Sequence, residues 1–214
     1  PHNRGFTRDF LIPCPRRSPS QLMTRRHHLI SADFQVAYRV ETQTMNQSTQ
    51  PEPWLRGTLT DIPAVPRAVL HALELAKEDL TRWCAGLSDA ELNGRPAAIA
   101  PVAFHIRHIA RSVDRLLTYA EGKTLNDEQL AALKSELAPN ANRPELFAEL
   151  EATLAAAARR IAQIDPARLD EPRSVGSKHL PTALAGLLVH IADHTQRHVG
   201  QAITTAKIVA ASRT

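Results

Sequence analysis

Apolar residues recur at steps of three and four from Asp61 onward, and this spacing constrains the fold more than any other feature of the sequence. Such spacing keeps one face of a helix apolar, whereas a half-buried strand alternates every second residue, and no alternating pattern competes. In the first long segment the apolar positions are Ile62, Val65, Val69, Leu73, Ala76, Leu80 and Trp83. The pattern therefore predicts an all-α protein.

Proline, glycine and capping residues divide this pattern into separate helices. Pro63 and Pro66 suit the first turn of the first long helix, and Gly86 follows its end. The other predicted helices are a short turn capped by Ser88 and Glu91, a second long helix from Pro96 to Ala120, a shorter helix from Asn126 to Leu137, a third long helix from Pro144 to Ile161 and a fourth from Pro181 to Ala210. We predict an antiparallel four-helix bundle with a short extra helix over residues 52–210. The long connection from Asp165 to Leu180 is a candidate functional loop.

The excess positive charge of the chain lies in its first 44 residues. Residues 1–44 hold seven arginines, no lysine and three acidic residues, whereas residues 45–214 hold 19 basic and 19 acidic residues. We predict that residues 1–44 are a disordered, non-structural extension and that translation normally begins at Met45 or Met23. Residues 45–214 are neutral overall and lack the basic surface of a sequence-independent DNA-binding protein, so we expect no nucleic-acid binding there.

The sequence predicts no membrane span and no secretory signal. The longest uncharged apolar stretch, residues 180–192, is shorter than the roughly 20 residues that a span requires, and the basic extension lacks the apolar core of a signal peptide. The expected location is the cytoplasm. Cys14 and Cys84 predict no disulfide framework, and Cys84 is expected to be a small packed side chain.

The histidines are placed where they can bind a metal ion. His190, His194 and His198 are four residues apart and share one face of the fourth helix, and His105 and His108 form a similar pair in the second. Imidazoles one turn apart leave a helix about 6 Å apart along its axis, so their nitrogens can converge on one ion. Three imidazoles and an open position form the ligand set of a catalytic metal site.

Other histidine-containing metal sites do not fit the sequence. Ile191 stands where a zinc protease with this spacing has its catalytic glutamate. A di-iron bundle needs a glutamate three residues before a histidine, and a zinc deaminase needs paired cysteines; residues 45–214 contain neither.

Two sequence runs resemble the DinB-like superfamily of four-helix metalloenzymes. They are FHIRHIARSVDRL, residues 104–116, and HIADHTQRHVGQ, residues 190–201. The resemblance extends over about residues 52–210. It implies a divalent ion, usually zinc or nickel, that is held by one histidine of the second helix and an H-x3-H pair of the last. Iron and manganese are the other ions considered.

By position, the resemblance implies that His108, His194 and His198 are the metal ligands. Gly200 and Gln201 follow His198 as in the common H-x-G-Q ending of the family, which fixes the register of the pair.

Other residues keep alternative roles. His105 is the second choice for the ligand of the second helix, or a group that orients a ligand. His190 is the other second choice as a metal ligand, and is otherwise expected to orient a ligand or to line the pocket. We predict that His71 faces solvent and that Asp193 and Arg197 form a surface ion pair.

The resemblance implies chemistry on low-molecular-weight thiols, with the metal lowering the pKa of the thiol. The leading prediction is a metal-dependent thiol S-transferase that acts on a small-molecule substrate. Arg115, Tyr119 and Arg173 are candidate pocket residues, and Arg115 or Arg173 is expected to bind the carboxylates of the thiol. The motifs contain no evident glutamate or aspartate base, which favours a substrate that is itself the nucleophile.

Two alternatives remain open. One is a metal-activated hydrolase with water in the open position. The other is a non-catalytic bundle that binds a metal or a partner, as in a stress-response homodimer.

Overall fold

A computed structural model of the chain describes residues 50–213. The helices and strands are α1 Ala64–Cys84, α2 Asp89–Asn93, α3 Val102–Ala120, α4 Asp127–Lys134, α5 Arg143–Ala162, β1 Pro172–Val175, β2 Leu180–Ala183 and α6 Leu184–Ala211. The predicted disorder of residues 1–44 and the predicted start at Met45 or Met23 lie outside the described residues.

The four long helices α1, α3, α5 and α6 supply most of a common apolar core. Helix α6 packs against both α1 and α3, and α3 also packs against α5. Large, almost fully buried side chains come from all four helices: Leu80, Ile106, Leu117, Leu150, Ile161, Leu188, Ile191 and Val199. The described residues are mostly helical, as the all-α prediction requires, with one small two-stranded sheet besides. Within residues 50–213, no helix combines the length and the apolarity that a bilayer crossing requires.

The sequence analysis predicted an antiparallel bundle, but two pairs of neighbouring helices run parallel. Gln196 of α6 donates a hydrogen bond to the Ala72 carbonyl of α1 at 2.7 Å. Eleven residues further along both helices, the Lys207 ammonium lies 4.5 Å from the centre of the Trp83 ring. Residue numbers rise together along this interface, so α1 and α6 run parallel.

Helices α3 and α5 also run parallel. Arg111 pairs with Glu149 at 2.6 Å, and about three turns further along both helices Glu121 pairs with Arg160 at 2.6 Å. The segment of residues 121–142, which includes α4, returns the chain to the end of the molecule where α3 began. A short connection makes consecutive helices antiparallel, whereas this one is long enough to cross the molecule and so allows α3 and α5 to run parallel.

The start of α5 shows where this crossing ends. The Ala141 backbone N–H donates to the Asn93 side chain at 2.8 Å, and the Arg143 N–H donates to Asp89 at 2.9 Å. Asp89 and Asn93 belong to α2, which precedes α3. The beginning of α5 is therefore anchored beside the region that leads into α3.

The second long helix begins later than predicted. It starts at Val102, whereas Pro96–Ala98 form a 3-10 turn in which Ala97 and Ala98 have φ of 48° and 62°. Pro101 explains the difference, because its ring has no N–H and would clash with the preceding turn of a helix that had begun at Pro96. By contrast, the predicted capping box of Ser88 and Glu91 is confirmed.

The connection between α5 and α6 contains a β-hairpin that the sequence analysis did not predict. Strand β1 pairs antiparallel with β2, with Arg173 opposite Thr182, and Gly176 adopts a φ of 72° in the turn. Helix α6 consequently begins at Leu184 and not at Pro181. Each strand has four residues, which is too short for an alternating pattern to stand out from a loop.

The prediction that His71 faces solvent is wrong. His71 is 7% exposed, and its Nε2 lies 3.1 Å from the Thr58 hydroxyl. The chain that precedes α1 folds back onto this helix, where Arg56 pairs with Glu74 and Glu78. Because the covering segment lies outside the helix, the periodicity of α1 alone could not predict that His71 is buried.

Candidate metal centre

Helices α3 and α6 run antiparallel and bring their histidines together. His108 Nε2 lies 2.8 Å from His194 Nε2, and His105 Nδ1 lies 3.0 Å from His198 Nδ1. Residue numbers therefore fall along one helix as they rise along the other. A step of three on α3 and a step of four on α6 each advance about one turn, so the two pairs face each other across the interface.

Three of these histidines form one compact group, which we call the histidine cluster. His108, His194 and His198 each offer a ring nitrogen, and these three nitrogens lie within 4.8 Å of one another. Nitrogens that share a tetrahedral zinc ion at 2.0–2.1 Å are about 3.4 Å apart. All three side chains are partly buried. The donor set and its spacing therefore fit a divalent cation.

The surroundings keep two imidazoles of the cluster neutral. Burial, together with the neighbouring imidazoles of His198 and His108, lowers the pKa of His194 to about 4. Burial also lowers the pKa of His198 to about 4, with His108 as an additional cause. A neutral imidazole has a free lone pair, which is the form that binds metals. At neutral pH these side chains need no proton loss before they bind an ion.

Glu136 is a functional candidate that the sequence analysis missed. It follows α4 and is 5% exposed, and its Oε2 lies 2.7 Å from His108 Nδ1. The other oxygen, Oε1, accepts a hydrogen bond from Arg115 Nη1 at 2.6 Å. Burial alone would raise the pKa of Glu136, but the hydrogen bonds from His108 and Arg115 outweigh it and the pKa lies below its usual range. No motif marked Glu136, because only the crossing of α4 brings it to His108.

His105 and His190 lie beside the cluster. His105 is buried behind His198 and contacts the Nδ1 of that ring, an arrangement that leaves His198 Nε2 free for another partner. Burial also lowers the pKa of His105 to about 4. The exposed His190 ring lies 5.2 Å from the His194 ring, centre to centre, and outside the group of three.

The other predicted pocket residues are not all close to the histidines. Arg115 lies two turns beyond His108 and holds Glu136. Tyr119 is eleven residues beyond His108, or about 16 Å along the helix axis. Arg173 donates to the Ala120 carbonyl at 2.6 Å. Tyr119 and Arg173 thus line a separate cleft of about 500 Å³ between the end of α3 and the hairpin.

Two smaller predictions concern side chains outside the cluster. Asp193 and Arg197 form the predicted exposed ion pair. Cys84 is fully buried, and burial raises the pKa of its thiol to about 12. A thiol with this pKa stays protonated at neutral pH, so Cys84 is a packed side chain and not a nucleophile.

A protein-family model described as the DinB superfamily matches residues 72–202, which is more than half of the chain. The matched range contains α3 and all three histidines of the cluster. The comparison with curated proteins finds no match.

Proposed function

This chain belongs to the DinB superfamily, and from that premise we propose that it is a divalent-metal-dependent enzyme whose ion is held by His108, His194 and His198. The observation that carries the proposal is the convergence of three ring nitrogens from two helices within 4.8 Å. Imidazole ligands suit zinc and nickel, and also iron, so zinc and nickel are the ions proposed first. Manganese is the least suited of the ions considered.

The protein side chains prepare the site for an ion. His194 and His198 are neutral because burial lowers the pKa of each to about 4. Glu136 accepts the hydrogen bond of His108 Nδ1, which leaves Nε2 of this ring to face the cluster. A divalent ion with three imidazole ligands and an open position lowers the pKa of a bound thiol or water and so supplies a nucleophile at neutral pH.

We propose further that the nucleophile is a low-molecular-weight thiol and that the reaction is S-transfer. Cys84 is buried and protonated, so the sulfur has to come from a substrate. Glu136 is held by His108 and Arg115 and is not free to act as a base. A thiol, with an ordinary pKa of about 8.5, needs less help to lose its proton than water does. The thiol sulfur bonds to an electrophilic carbon, the leaving group departs with its electron pair, and the thiol proton passes to solvent.

The three candidate pocket residues of the sequence analysis are not part of this proposal. Arg115 is engaged with Glu136, and Tyr119 and Arg173 line the cleft at the far end of α3. We therefore do not extend the proposal to these three residues as ligands of the thiol carboxylates.

A thiol-dependence assay tests this function. The full chain, loaded with Zn²⁺ or Ni²⁺, is mixed with 1-chloro-2,4-dinitrobenzene and with glutathione, cysteine or N-acetylcysteine, and the dinitrophenyl thioether is followed by absorbance. We expect a rate that requires both thiol and metal and that His194→Ala abolishes. Turnover of ester substrates without thiol would instead favour the hydrolase, and a bound ion with no turnover for any thiol would favour the non-catalytic bundle.

A further inference from the structure

Glu136 is a buried carboxylate with two strong hydrogen-bond donors. Acidic side chains are almost never fully buried unless they are paired, and Glu136 is 5% exposed. Its two oxygens are divided between His108, at 2.7 Å, and Arg115, at 2.6 Å. Each oxygen therefore has a separate partner, and one of these partners belongs to the histidine cluster.

This contact fixes the position of the proton on the His108 ring. An ionised carboxylate only accepts hydrogen bonds, so the Nδ1 that faces Glu136 carries the proton and Nε2 carries the lone pair. That Nε2 lies 2.8 Å from His194 Nε2. The Phe104 ring, stacked on the His108 ring at 5.3 Å and 23°, restricts its rotation from one side. Tautomer and ring direction are thus set before any ion arrives.

Arginines on α3 fasten the segment that carries Glu136. Arg107 donates to the Glu136 carbonyl at 3.1 Å and to the Ala138 carbonyl at 2.9 Å. One turn later, Arg111 donates to the Ala132 carbonyl at 2.8 Å and to the Ser135 hydroxyl at 2.9 Å. Helix α4 buries none of its own residues. Polar contacts, more than apolar packing, therefore hold Glu136 beside His108.

We propose that Glu136 is a positioning residue that presents His108 Nε2 to the ion, and that Arg115 holds the carboxylate in place for this task. The inference rests on the proposed function, because it assigns Glu136 a role toward the ion held by the histidine cluster. A carboxylate behind a metal-bound imidazole fixes the ring and raises the basicity of the ligating nitrogen. The affinity for metal thus depends on a residue that does not touch the ion.

Glu136→Gln tests the proposal with minimal change of shape. A glutamine has one acceptor oxygen, but His108 Nδ1–H and Arg115 both need an acceptor. If the oxygen faces Arg115, the amide N–H₂ faces His108 and can only donate to Nδ1. The ring proton then moves to Nε2, and this nitrogen no longer has a lone pair for the ion. We expect the affinity for Zn²⁺, measured by competition with a chelator, to fall about 10–100-fold. The visible spectrum of the Co²⁺-loaded chain is expected to change as well.

Glu149→Gln is the matched control. It removes a carboxylate of α5 that pairs with Arg111, which lies on α3 as His108 and Arg115 do. Arg111 keeps its bonds to Ala132 and Ser135. We expect unchanged Zn²⁺ affinity and an unchanged Co²⁺ spectrum. Equal losses in Glu136→Gln and Glu149→Gln, or native affinity in Glu136→Gln, would overturn the proposal.

A double variant separates positioning from a merely structural role. In the double variant Glu136→Gln, Arg115→Gln, the side-chain oxygen of the glutamine at position 115 can accept a hydrogen bond from the amide N–H₂ at position 136. The side-chain oxygen at position 136 is then free to face His108. We expect this double variant to regain part of the Zn²⁺ affinity that Glu136→Gln loses. A structural role predicts a further loss instead, because a second buried ion-pair partner has been removed.

The native chain gives an independent test that needs no variant to fold. Nitrogen-15 NMR of the metal-free full chain is expected to show His108 protonated at Nδ1, and Zn²⁺ is expected to bind its Nε2. Protonation at Nε2 in the metal-free chain would overturn the positioning role. If the native chain bound no Zn²⁺ while Nδ1 carried the proton, the proposed function would fail and the hydrogen bond to Glu136 would stand.

Discussion

His194→Ala is expected to lower the affinity of the chain for a divalent ion by about 100-fold or more, while the helices stay folded. Loss of a group behind a ligand costs about 10–100-fold, and loss of one of three ligands should cost at least as much. His194 Nε2 lies 2.8 Å from His108 Nε2, so its removal takes away one of the three converging nitrogens of the cluster. Affinity is measured by chelator competition with Zn²⁺ and Ni²⁺, and folding by circular dichroism.

His190→Ala is the matched control for this prediction. His190 lies one turn before His194 on the same helix, and it is exposed and outside the group of three nitrogens. We expect its replacement to change the affinity little. If His190→Ala lost as much affinity as His194→Ala, the ligand set would include the first histidine of the run and the proposed set would be wrong.

Leu80→Ala is expected to destabilise the chain by about 2–5 kcal/mol. Leu80 is 0% exposed and lies on α1, among side chains of the common core. Removing its terminal carbons leaves a cavity that rigid packed helices fill only in part, so the lost contacts add to the lost transfer free energy. The free energy of unfolding is measured by urea denaturation, monitored by circular dichroism.

Leu130→Ala provides the same chemical change at the surface. Leu130 lies on α4 and is 42% exposed, so we expect its replacement to change the free energy of unfolding by no more than about 0.5 kcal/mol. A similar, small effect for both variants would show that α1 does not pack in the core as described here.

The sequence predicts the helices and the histidine groups well because both depend on short spacings. A step of three or four residues sets which side chains share a helical face, whatever else the protein does. The run from His190 to His198 therefore lies on one side of α6, and His105 and His108 lie on one side of α3. The capping box of Ser88 and Glu91 is equally local, and it forms as predicted.

Features that depend on distant segments could not be predicted from these spacings. Glu136 is 28 residues from His108 along the chain, and only the crossing that contains α4 brings them within hydrogen-bond distance. The burial of His71 depends on residues before α1 that fold back onto it. The parallel course of α3 and α5 likewise depends on where a long connection ends, which no helical pattern encodes.

The pocket residues show the same division between local and distant information. Arg115 lies two turns beyond His108 on α3, but a carboxylate from another segment, that of Glu136, pairs with its guanidinium. Arg173 lies at the end of α3, where its guanidinium donates a hydrogen bond to the Ala120 carbonyl. Helix C-termini leave carbonyl groups without intrahelical partners, so an arginine there has a structural task.

X-ray absorption at the zinc edge of the full chain, loaded with one equivalent of Zn²⁺, tests the central claim most directly. The account predicts three imidazole nitrogens at about 2.0–2.1 Å from the ion, and two in His198→Ala. A shell of oxygen atoms alone, or an imidazole count that His198→Ala leaves unchanged, would contradict it.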